Sequence, residues 1–380
     1  SILDQPERFR LSELGSLGLN TFNGVPQDEL KRELNWPYSI HTFREMSQHS
    51  AINAPLTLFE NIISKATWTF KPPENPTEEE KRQTKLINQM MHDMEQPWSE
   101  FIKDVLSSNV FGFSVHEKVY RKRYKSNGSL YDDGVIGWRK LPIRLQESIS
   151  KFIFSEDGNE VIGVQQNLSQ VNDTYNRFAR RGNLVNLPRD KFMLFRTGKH
   201  RGDPFGKSPL RDAYLAWRFL TALEEMEATG VAKDLSGLPV MYLPAQYFAT
   251  DAPPEVQEIR RYYENAMRNL QTNQQAAMMI PTMIDPESKQ QMFKLELLSV
   301  DGKKSFDIDK IKSYYKNLIF TSLFADVLQM GQTATGSFAL GSIKNSLSGA
   351  YAERLITNIA EVLQNDLIRQ TYELNNWSTE

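Results

Sequence analysis

Two long helical segments that bracket a shorter insert constrain the fold of this chain more than any other feature of its sequence. Ser208-Pro209 is a strong helix start, because a capping hydroxyl precedes a proline at the first helical position. The helix is predicted to run to about Leu235, and a second one from near Ser305 to about Met330. Each would be about 40 Å long at the α-helical rise per residue. Two such helices around one insert predict a stalk that carries a tip.

The insert, residues 237–299, is predicted to be a small α/β region. Its predicted elements are a strand over Pro239–Leu243, a helix over Pro254–Leu270, and strands over Ala276–Ile280 and Gln291–Leu298.

The rest of the chain mixes helical and strand signals. Apolar residues three or four apart predict helices over Ile40–Lys71, over Thr77–Met94, and from Trp98 to near Gly112. Strand-like runs follow at Phe113–Tyr120, Lys151–Phe154, Val161–Val164 and Lys191–Phe195. A last long helix is predicted from residue 342, with apolar positions at Leu347, Tyr351, Leu355, Ile359, Leu363 and Leu367. The predicted fold class is therefore α+β.

Composition limits the compartment and the partners of the protein. The 380 residues include no cysteine, which excludes disulfides, thiolate metal sites and cysteine nucleophiles, and which fits a reducing compartment. A formal net charge of −2 is unlike the basic excess of a protein that coats nucleic acid. Ser1–Arg10 is polar, and no stretch approaches the roughly 18 consecutive apolar residues of a membrane helix. We expect a soluble protein that assembles inside a cell and does not use a membrane.

Motifs of catalytic chemistry are incomplete in this sequence. Gly202–Ser208 looks like a phosphate-binding loop, but three residues separate its glycines instead of four, and Pro204 removes a backbone donor. No Gly-x-Ser-x-Gly nucleophile motif is present. The histidines lack the spacing of a zinc site; they are His41, His49, His92, His116 and His200. The sequence predicts no catalytic residue, no metal site and no cofactor.

Four stretches carry a resemblance to a known family. They are, in chain order, Phe43-Arg-Glu-Met46 with Trp68-Thr-Phe70, Phe111-Gly-Phe-Ser-Val-His-Glu117, Phe205-Gly-Lys-Ser-Pro-Leu-Arg211, and Leu238-Pro239. Their order and spacing resemble the portal proteins of tailed bacteriophages, and most closely the branch typified by the portal of phage Mu. The resemblance covers about residues 40–375.

The resemblance implies a portal fold and a homo-oligomeric ring, usually a dodecamer. Its expected regions are a wing over 1–205, a first stem helix over 206–236, a clip over 237–299, a second stem helix over 300–330, a tunnel loop over 331–341 and a C-terminal wing helix over 342–380. The predicted stalk and tip agree with the stem and the clip. Because the chain stops soon after its last helix, the helical crown of many portals is expected to be short, missing or not included.

The resemblance also implies a function by geometry, without catalysis. The expected subunit lines a channel through which viral DNA is packaged and later ejected, at the unique portal vertex of a virion that assembles in the host cytoplasm. The implied partners are other copies of the chain, double-stranded DNA bound without sequence preference, the terminase, a head–tail adaptor and the major capsid protein. Two alternatives from other classes are a DNA-processing packaging enzyme and a capsid or adaptor protein without a DNA channel.

The sharpest candidate site is the expected tunnel loop. No charged residue occurs from Gln329 to Ser342. Lys or Arg here would pair with DNA phosphates and slow a sliding duplex, so an uncharged loop suits a channel. The residues concerned are Gln329, Gln332, Thr333, Thr335, Gly336, Ser337 and Phe338. The alternative is a plain glycine-rich connection between two helices.

Two charged groups are further candidates. Possible DNA-facing residues of the second stem helix are Lys303, Lys304, Lys310, Lys312 and Lys316, unless they form a solvated face paired with Asp307 and Asp309. A possible docking surface of the clip consists of Glu255, Glu258, Arg260, Arg261, Glu264 and Arg268, for which ordinary surface charge is the alternative.

Overall fold

The chain forms two compact units of mixed helices and antiparallel sheets. The computed structural model describes residues 18, 21–22, 25–26, 31–156, 158–168, 184–198, 203–236, 238–249, 252–271, 294–298, 308–325, 328 and 338–377. The first unit consists of Ser1–Trp217 with Lys316–Glu380, and the second of Arg218–Tyr315. The α+β class predicted from the sequence agrees with this content of helices and strands.

Two of the described helices are longer than the others. One, Leu210–Ser236, precedes the predicted insert, and the other, Phe338–Val362, lies in the C-terminal segment. The α-helices are α1 (Tyr38–Gln48), α2 (Ser50–Ser64), α3 (Glu78–Asp93), α4 (Trp98–Leu106), α5 (Ser108–Phe111), α6 (Leu210–Ser236), α7 (Pro254–Gln271), α8 (Ile308–Ser322), α9 (Phe338–Val362) and α10 (Arg369–Leu374). A π-helical segment, Leu363–Ile368, joins α9 to α10.

The strands are short and pair antiparallel throughout the described residues. They are β1 (Thr21–Phe22), β2 (Val25–Pro26), β3 (Phe113–Glu117), β4 (Val119–Lys122), β5 (Ile136–Lys140), β6 (Ile143–Arg144), β7 (Ile149–Phe154), β8 (Val161–Asn167), β9 (Leu184–Pro188), β10 (Phe192–Arg196), β11 (Leu238–Tyr242) and β12 (Lys294–Leu298). The sheets have the orders β10-β3-β6, β7-β8-β9, β4-β5, β11-β12 and β1-β2. Strands β10 and β3 pair along their whole length, from Phe192 opposite Glu117 to Arg196 opposite Phe113.

Local signals explain where the first helices begin and end. The single helix predicted over Ile40–Lys71 is in fact two helices, because His49 has an extended backbone and its Nδ1 accepts a hydrogen bond from the Ala51 N–H at 3.3 Å. That bond makes His49 the N-cap of α2, which ends at Ser64. Helix α3 begins with a capping box in which Thr77 and Glu80 satisfy each other's backbone N–H groups.

Two apolar clusters contribute to the core of the described part of the first unit. The larger joins α2, α3 and α4 to the C-terminal helix, and the smaller lies between α1 and the sheets β10-β3-β6 and β7-β8-β9. Of the six apolar positions predicted for the last helix, those buried are Tyr351, Leu355, Ile359, Leu363 and Leu367. Leu347 is 52% exposed and lies outside this core. Each buried aliphatic side chain of this kind contributes about 1.5–3 kcal/mol.

The predicted length of the second long helix is wrong. Helix α8 ends at Ser322, well before Met330, because the chain turns at Phe324 with a φ of 57°. The Ala325 N–H donates to the Phe320 carbonyl at 2.8 Å and the Phe324 N–H to the Thr321 carbonyl at 3.2 Å, which are the two bonds of a Schellman motif. Residues 301–307 lie outside the described residues.

The C-terminal helix begins earlier than predicted and is not uniform. Helix α9 starts at Phe338, so the last four residues of the expected 331–341 loop are helical. Two cationic side chains contact Asp366 in the π-helical segment. Arg189 Nη2 lies 2.8 Å from the Asp366 carboxylate, and Lys118 Nζ donates to the Asp366 carbonyl at 3.2 Å. A backbone carbonyl displaced by a π-turn needs such a partner.

Candidate functional site

Helices α6 and α8 meet within the second unit, where side chains from both form direct contacts. The Lys312 ammonium donates to the Glu227 carboxylate at 2.6 Å, and the Tyr315 ring stacks on Phe219 with centroids 5.5 Å apart. From Glu227 to Phe219 the α6 numbering falls, while from Lys312 to Tyr315 the α8 numbering rises. The two helices therefore run antiparallel.

Of the five candidate lysines of the second stem helix, three lie in the described residues, and their surroundings differ. Lys303 and Lys304 lie outside the described residues. Lys310 and Lys316 are exposed on α8. The hydrogen bond with Glu227 raises the pKa of Lys312, and Asp309 lies 3.5 Å from the same ammonium. Lys312 is therefore engaged in a contact between helices, so its side chain is less available to DNA than the sequence suggested.

The described flank of the expected tunnel loop is firmly attached to the first unit. The Phe324 ring stacks on Tyr351 with centroids 4.8 Å apart, and the Ser348 hydroxyl donates to the Phe324 carbonyl at 2.6 Å. Tyr351 is itself buried, its hydroxyl bonds to Asn109, and burial raises its pKa to about 12. These contacts hold the point at which the chain leaves α8.

Most residues of the expected tunnel loop lie outside the residues that the structure describes. Gln329, Gln332, Thr333, Thr335, Gly336 and Ser337 lie outside the described residues. Phe338 is the first residue of α9. The sequence did not indicate Phe324 as part of this site, because a bulky side chain at positive φ leaves no signal in a local pattern.

Helix α7 carries the candidate docking residues of the insert. Glu255, Glu258, Arg261, Glu264 and Arg268 are exposed. The Arg260 guanidinium donates to the Glu264 carboxylate at 2.8 Å and lies 5.4 Å from the centroid of the Phe248 ring.

The sequence did not indicate the exposed apolar side chains of α7 and of the segment 238–249 that precedes it. They are Tyr242, Phe248, Ile259 and Tyr262, of which Tyr262 is 56% exposed. Aromatic residues and arginine are enriched where proteins bind each other. The surface of α7 is thus a mixed apolar and charged surface, and the charged residues alone describe it incompletely.

Metal and membrane sites find no support among the residues that can be described. Within those ranges, no group of three or more His, Asp or Glu side chains is placed to hold a metal ion. No helix in the described part of the chain is long and apolar enough to cross a membrane. His116 is a buried residue of β3 that packs against the rings of Phe101 and Phe195. Burial lowers its pKa to about 4, and this environment indicates a structural role.

Comparisons with known proteins give one family. A family model described as the portal protein of Mu bacteriophage matches residues 40–380. A solved structure of the virion of a native gene transfer agent particle contains a similar chain at 13% identity, with a TM-score of 0.46, over 80% of this chain and 84% of that one. No curated protein matches the sequence.

Proposed function

The chain belongs to the family of the portal protein of Mu bacteriophage, and we propose that it is one subunit of a ring whose central channel carries double-stranded viral DNA. The ring would stand at one vertex of a virion after assembly in the host cytoplasm. DNA would pass through it during packaging and again during ejection. Copies of this chain, the major capsid protein, a terminase and a head–tail adaptor are the partners that this function requires.

The antiparallel contact between α6 and α8 is the observation that carries the proposal. Both helices border the segment that contains β11, α7 and β12, and they meet through Glu227 with Lys312 and Phe219 with Tyr315. We assign 206–236 and 300–330 to the stem, 237–299 to the clip, and 1–205 with 342–380 to the wing. Helix α8 supplies the described part of the second stem segment.

The proposed mechanism relies on a loop that touches DNA without binding it. Residues 331–341 contain no charge, so they form no ion pairs with phosphates and release no counterions. The attachment of Phe324 to Tyr351 and Ser348 supports a fixed origin for this tunnel loop. Loops whose preceding stem segment is attached to the wing at Phe324 can follow the passing duplex while the ring stays in place.

The clip would present α7 to the terminase and to the head–tail adaptor. Its exposed Tyr262 and Ile259 offer apolar contact area, and the flanking Glu and Arg side chains offer a charged rim. Interfaces of this composition suit partners that bind and leave, because the charged rim directs the encounter. Packaging and ejection need two such partners in succession.

Electron microscopy of the purified full chain tests the proposal directly. We expect rings with a central hole wide enough for a duplex of about 20 Å diameter, with no ATP hydrolysis and no DNA cleavage by the chain alone. Monomers at every concentration, or closed particles without a hole, would count against a portal. Measurable ATP turnover by the isolated chain would instead favour a packaging enzyme.

A further inference from the structure

A cavity in the first unit lies between the end of strand β10 and helix α9. Its volume is about 460 Å³. Among its described lining residues, Leu355 alone is aliphatic. The polar lining residues are Arg196, Thr197, Arg354, Thr357, Asn358 and Glu361. Sites for small organic ligands are mostly apolar, so this lining suits a charged group instead.

Hydrogen bonds fix the two walls of the cavity. The Asn358 amide donates to the Arg196 carbonyl at 2.6 Å, which ties α9 to the end of β10. The Lys207 N–H donates to the Thr197 carbonyl at 2.6 Å and to the Gly198 carbonyl at 3.0 Å. The backbone of the site is therefore in place before anything binds, which reduces the entropy cost of binding.

The two arginines of the lining have no carboxylate partner among the described residues. Arg196 Nη1 donates to the Asp203 carbonyl at 3.3 Å, and the Arg354 guanidinium lies 5.1 Å from the centroid of the Tyr351 ring. Burial lowers the pKa of Arg196, an effect that the charge of Asp203 partly opposes. A half-buried cation without a paired anion is unfavourable, so a bound anion would stabilise Arg196.

Positive charge predominates around the cavity. Arg196 and Arg354 outnumber Glu361, the one acidic residue of the described lining. In the sequence, Lys199-His-Arg201 directly follows Gly198, another lining residue, although those three positions lie outside the described residues. The charge of this part of the chain is thus complementary to an anion.

We infer that this cavity binds a carboxylate side chain in an acidic peptide segment of another protein. Arginine suits this ligand because its planar guanidinium donates two parallel hydrogen bonds to a carboxylate. The exposed Thr357 hydroxyl donates to the Glu353 carbonyl at 3.0 Å and keeps lone pairs that can accept from a peptide N–H. The inference goes beyond the proposed function, which assigns no ligand to these residues.

A DNA duplex fits the cavity less well than a peptide. A duplex carries one negative charge about every 1.7 Å of its axis, and its phosphates lie on a convex surface that does not enter a recess. Glu361 would repel several of those phosphates at once. A single carboxylate on a flexible side chain enters the recess and meets the same repulsion only once.

Fluorescence anisotropy on the full chain tests the site with a short labelled peptide of alternating glutamate and glycine. We expect this peptide to bind, and the same peptide with glutamine to bind at least about tenfold more weakly, because it has no carboxylate for the guanidiniums. Arg354→Gln should weaken binding of the acidic peptide by about tenfold or more. Circular dichroism checks that this variant is folded.

Two further variants separate the cavity from general surface charge. Glu361→Gln removes the acid of the lining and should tighten binding of the acidic peptide by about threefold. Misfolding cannot produce such a gain. Arg369→Gln is the matched control, because it removes another exposed arginine about 20 Å further along the C-terminal helical segment. It should leave binding unchanged.

Several outcomes would overturn the inference. They are no binding of the acidic peptide, equal binding to the natural chain and R354Q, and weaker or unchanged binding to E361Q. Displacement of the peptide by a short DNA duplex would assign the cavity to phosphates instead. Electron microscopy separates these results from the proposed function: rings without peptide binding leave the portal function standing, and peptide binding without rings leaves this site standing.

Discussion

Gly112 and Gly206 contact each other through their backbones, although one closes α5 and the other precedes α6. A Cβ atom on Gly206 would lie 2.4 Å from the Gly112 carbonyl oxygen, and a Cβ on Gly112 would lie 2.5 Å from the Phe205 carbonyl oxygen. Both glycines have positive φ values, 92° and 59° respectively. They belong to two of the stretches that resemble portal proteins, so this contact gives a physical reason for glycine in both.

Gly206→Ala should destabilise the chain by at least about 2 kcal/mol, because the new Cβ adds a backbone clash to the cost of positive φ. Chemical denaturation of the purified chain measures it. Gly349→Ala is the control: its Cβ would meet nothing within 4 Å on α9, so it should be neutral or stabilising by up to about 1 kcal/mol. Equal effects from the two variants would contradict this account of the glycine contact.

Asp93→Ala should cost about 3–5 kcal/mol, because it removes the buried carboxylate 3.4 Å from the Arg121 guanidinium and leaves that buried cation with only the more exposed Glu95, 3.6 Å away. The Asp93 carboxylate also accepts hydrogen bonds from the Ser129 hydroxyl at 2.8 Å and the Leu130 N–H at 2.7 Å. Glu79→Ala, which removes an exposed ion pair with Arg82, should change stability by less than about 1 kcal/mol. A small effect at Asp93 would mean that water or another acid replaces it.

Phe324→Gly should be more stable than Phe324→Ala by about 1 kcal/mol or more. Both variants lose the stacking on Tyr351, but only alanine keeps a Cβ at a φ of 57°. Comparing the denaturation midpoints of these two variants isolates the backbone cost from the loss of the ring. If alanine equals or exceeds glycine, Phe324 does not have the left-handed backbone.

The free energy of unfolding should decrease at acidic pH because His116 is buried in its neutral form. Its folded pKa, about 4, is below the ordinary histidine value of 6.5 because burial disfavours the charged ring. The contribution is therefore fully present above pH 6.5, where both states are neutral, and is lost as the pH falls towards 4 and the unfolded chain takes up a proton. The loss is on the order of 3 kcal/mol.

The difference between the natural chain and His116→Gln removes the contribution of the carboxylates from this pH dependence. Glutamine can still donate to the Leu141 carbonyl, which accepts from His116 Nδ1 at 3.1 Å. The variant should lose less stability than the natural chain between pH 7 and pH 4.5. If the free energies of unfolding of the two proteins fall equally with pH, groups other than His116 cause the acid sensitivity.

Lysines in the proposed tunnel loop should convert a sliding contact into a binding one. The variant T333K/T335K should form rings that bind double-stranded DNA more tightly, with a steeper fall of affinity with salt, because each new phosphate contact releases counterions. Fluorescence anisotropy at several salt concentrations measures this, with T333S/T335S as the uncharged control. Unchanged salt dependence would place these residues away from the channel.

Local chemistry in the sequence determined the elements that depend on neighbouring residues. The capping hydroxyl of Ser208 and the break near residue 237 predicted α6, which the structure gives as Leu210–Ser236, and the Ser208 hydroxyl accepts from the Leu210 N–H at 3.1 Å. The four-residue apolar spacing likewise predicted the buried face of the last helix. Caps and apolar periods act over a few residues, so they can be read from the chain alone.

Contacts between residues that are distant in the sequence decided the remaining features, because such residues meet only when the chain folds. The sequence missed strands β5 and β9, whose pairing partners lie elsewhere in the chain. It extended α8 past Phe324, where stacking on Tyr351 and the bond from Ser348 hold a turn that no local pattern encodes. It also gave no sign that Lys312, a candidate DNA-facing residue, donates a hydrogen bond to Glu227 on the other helix. The sequence determined which segments become helices, and only the packed chain decided where they stop and which of their sides remain exposed.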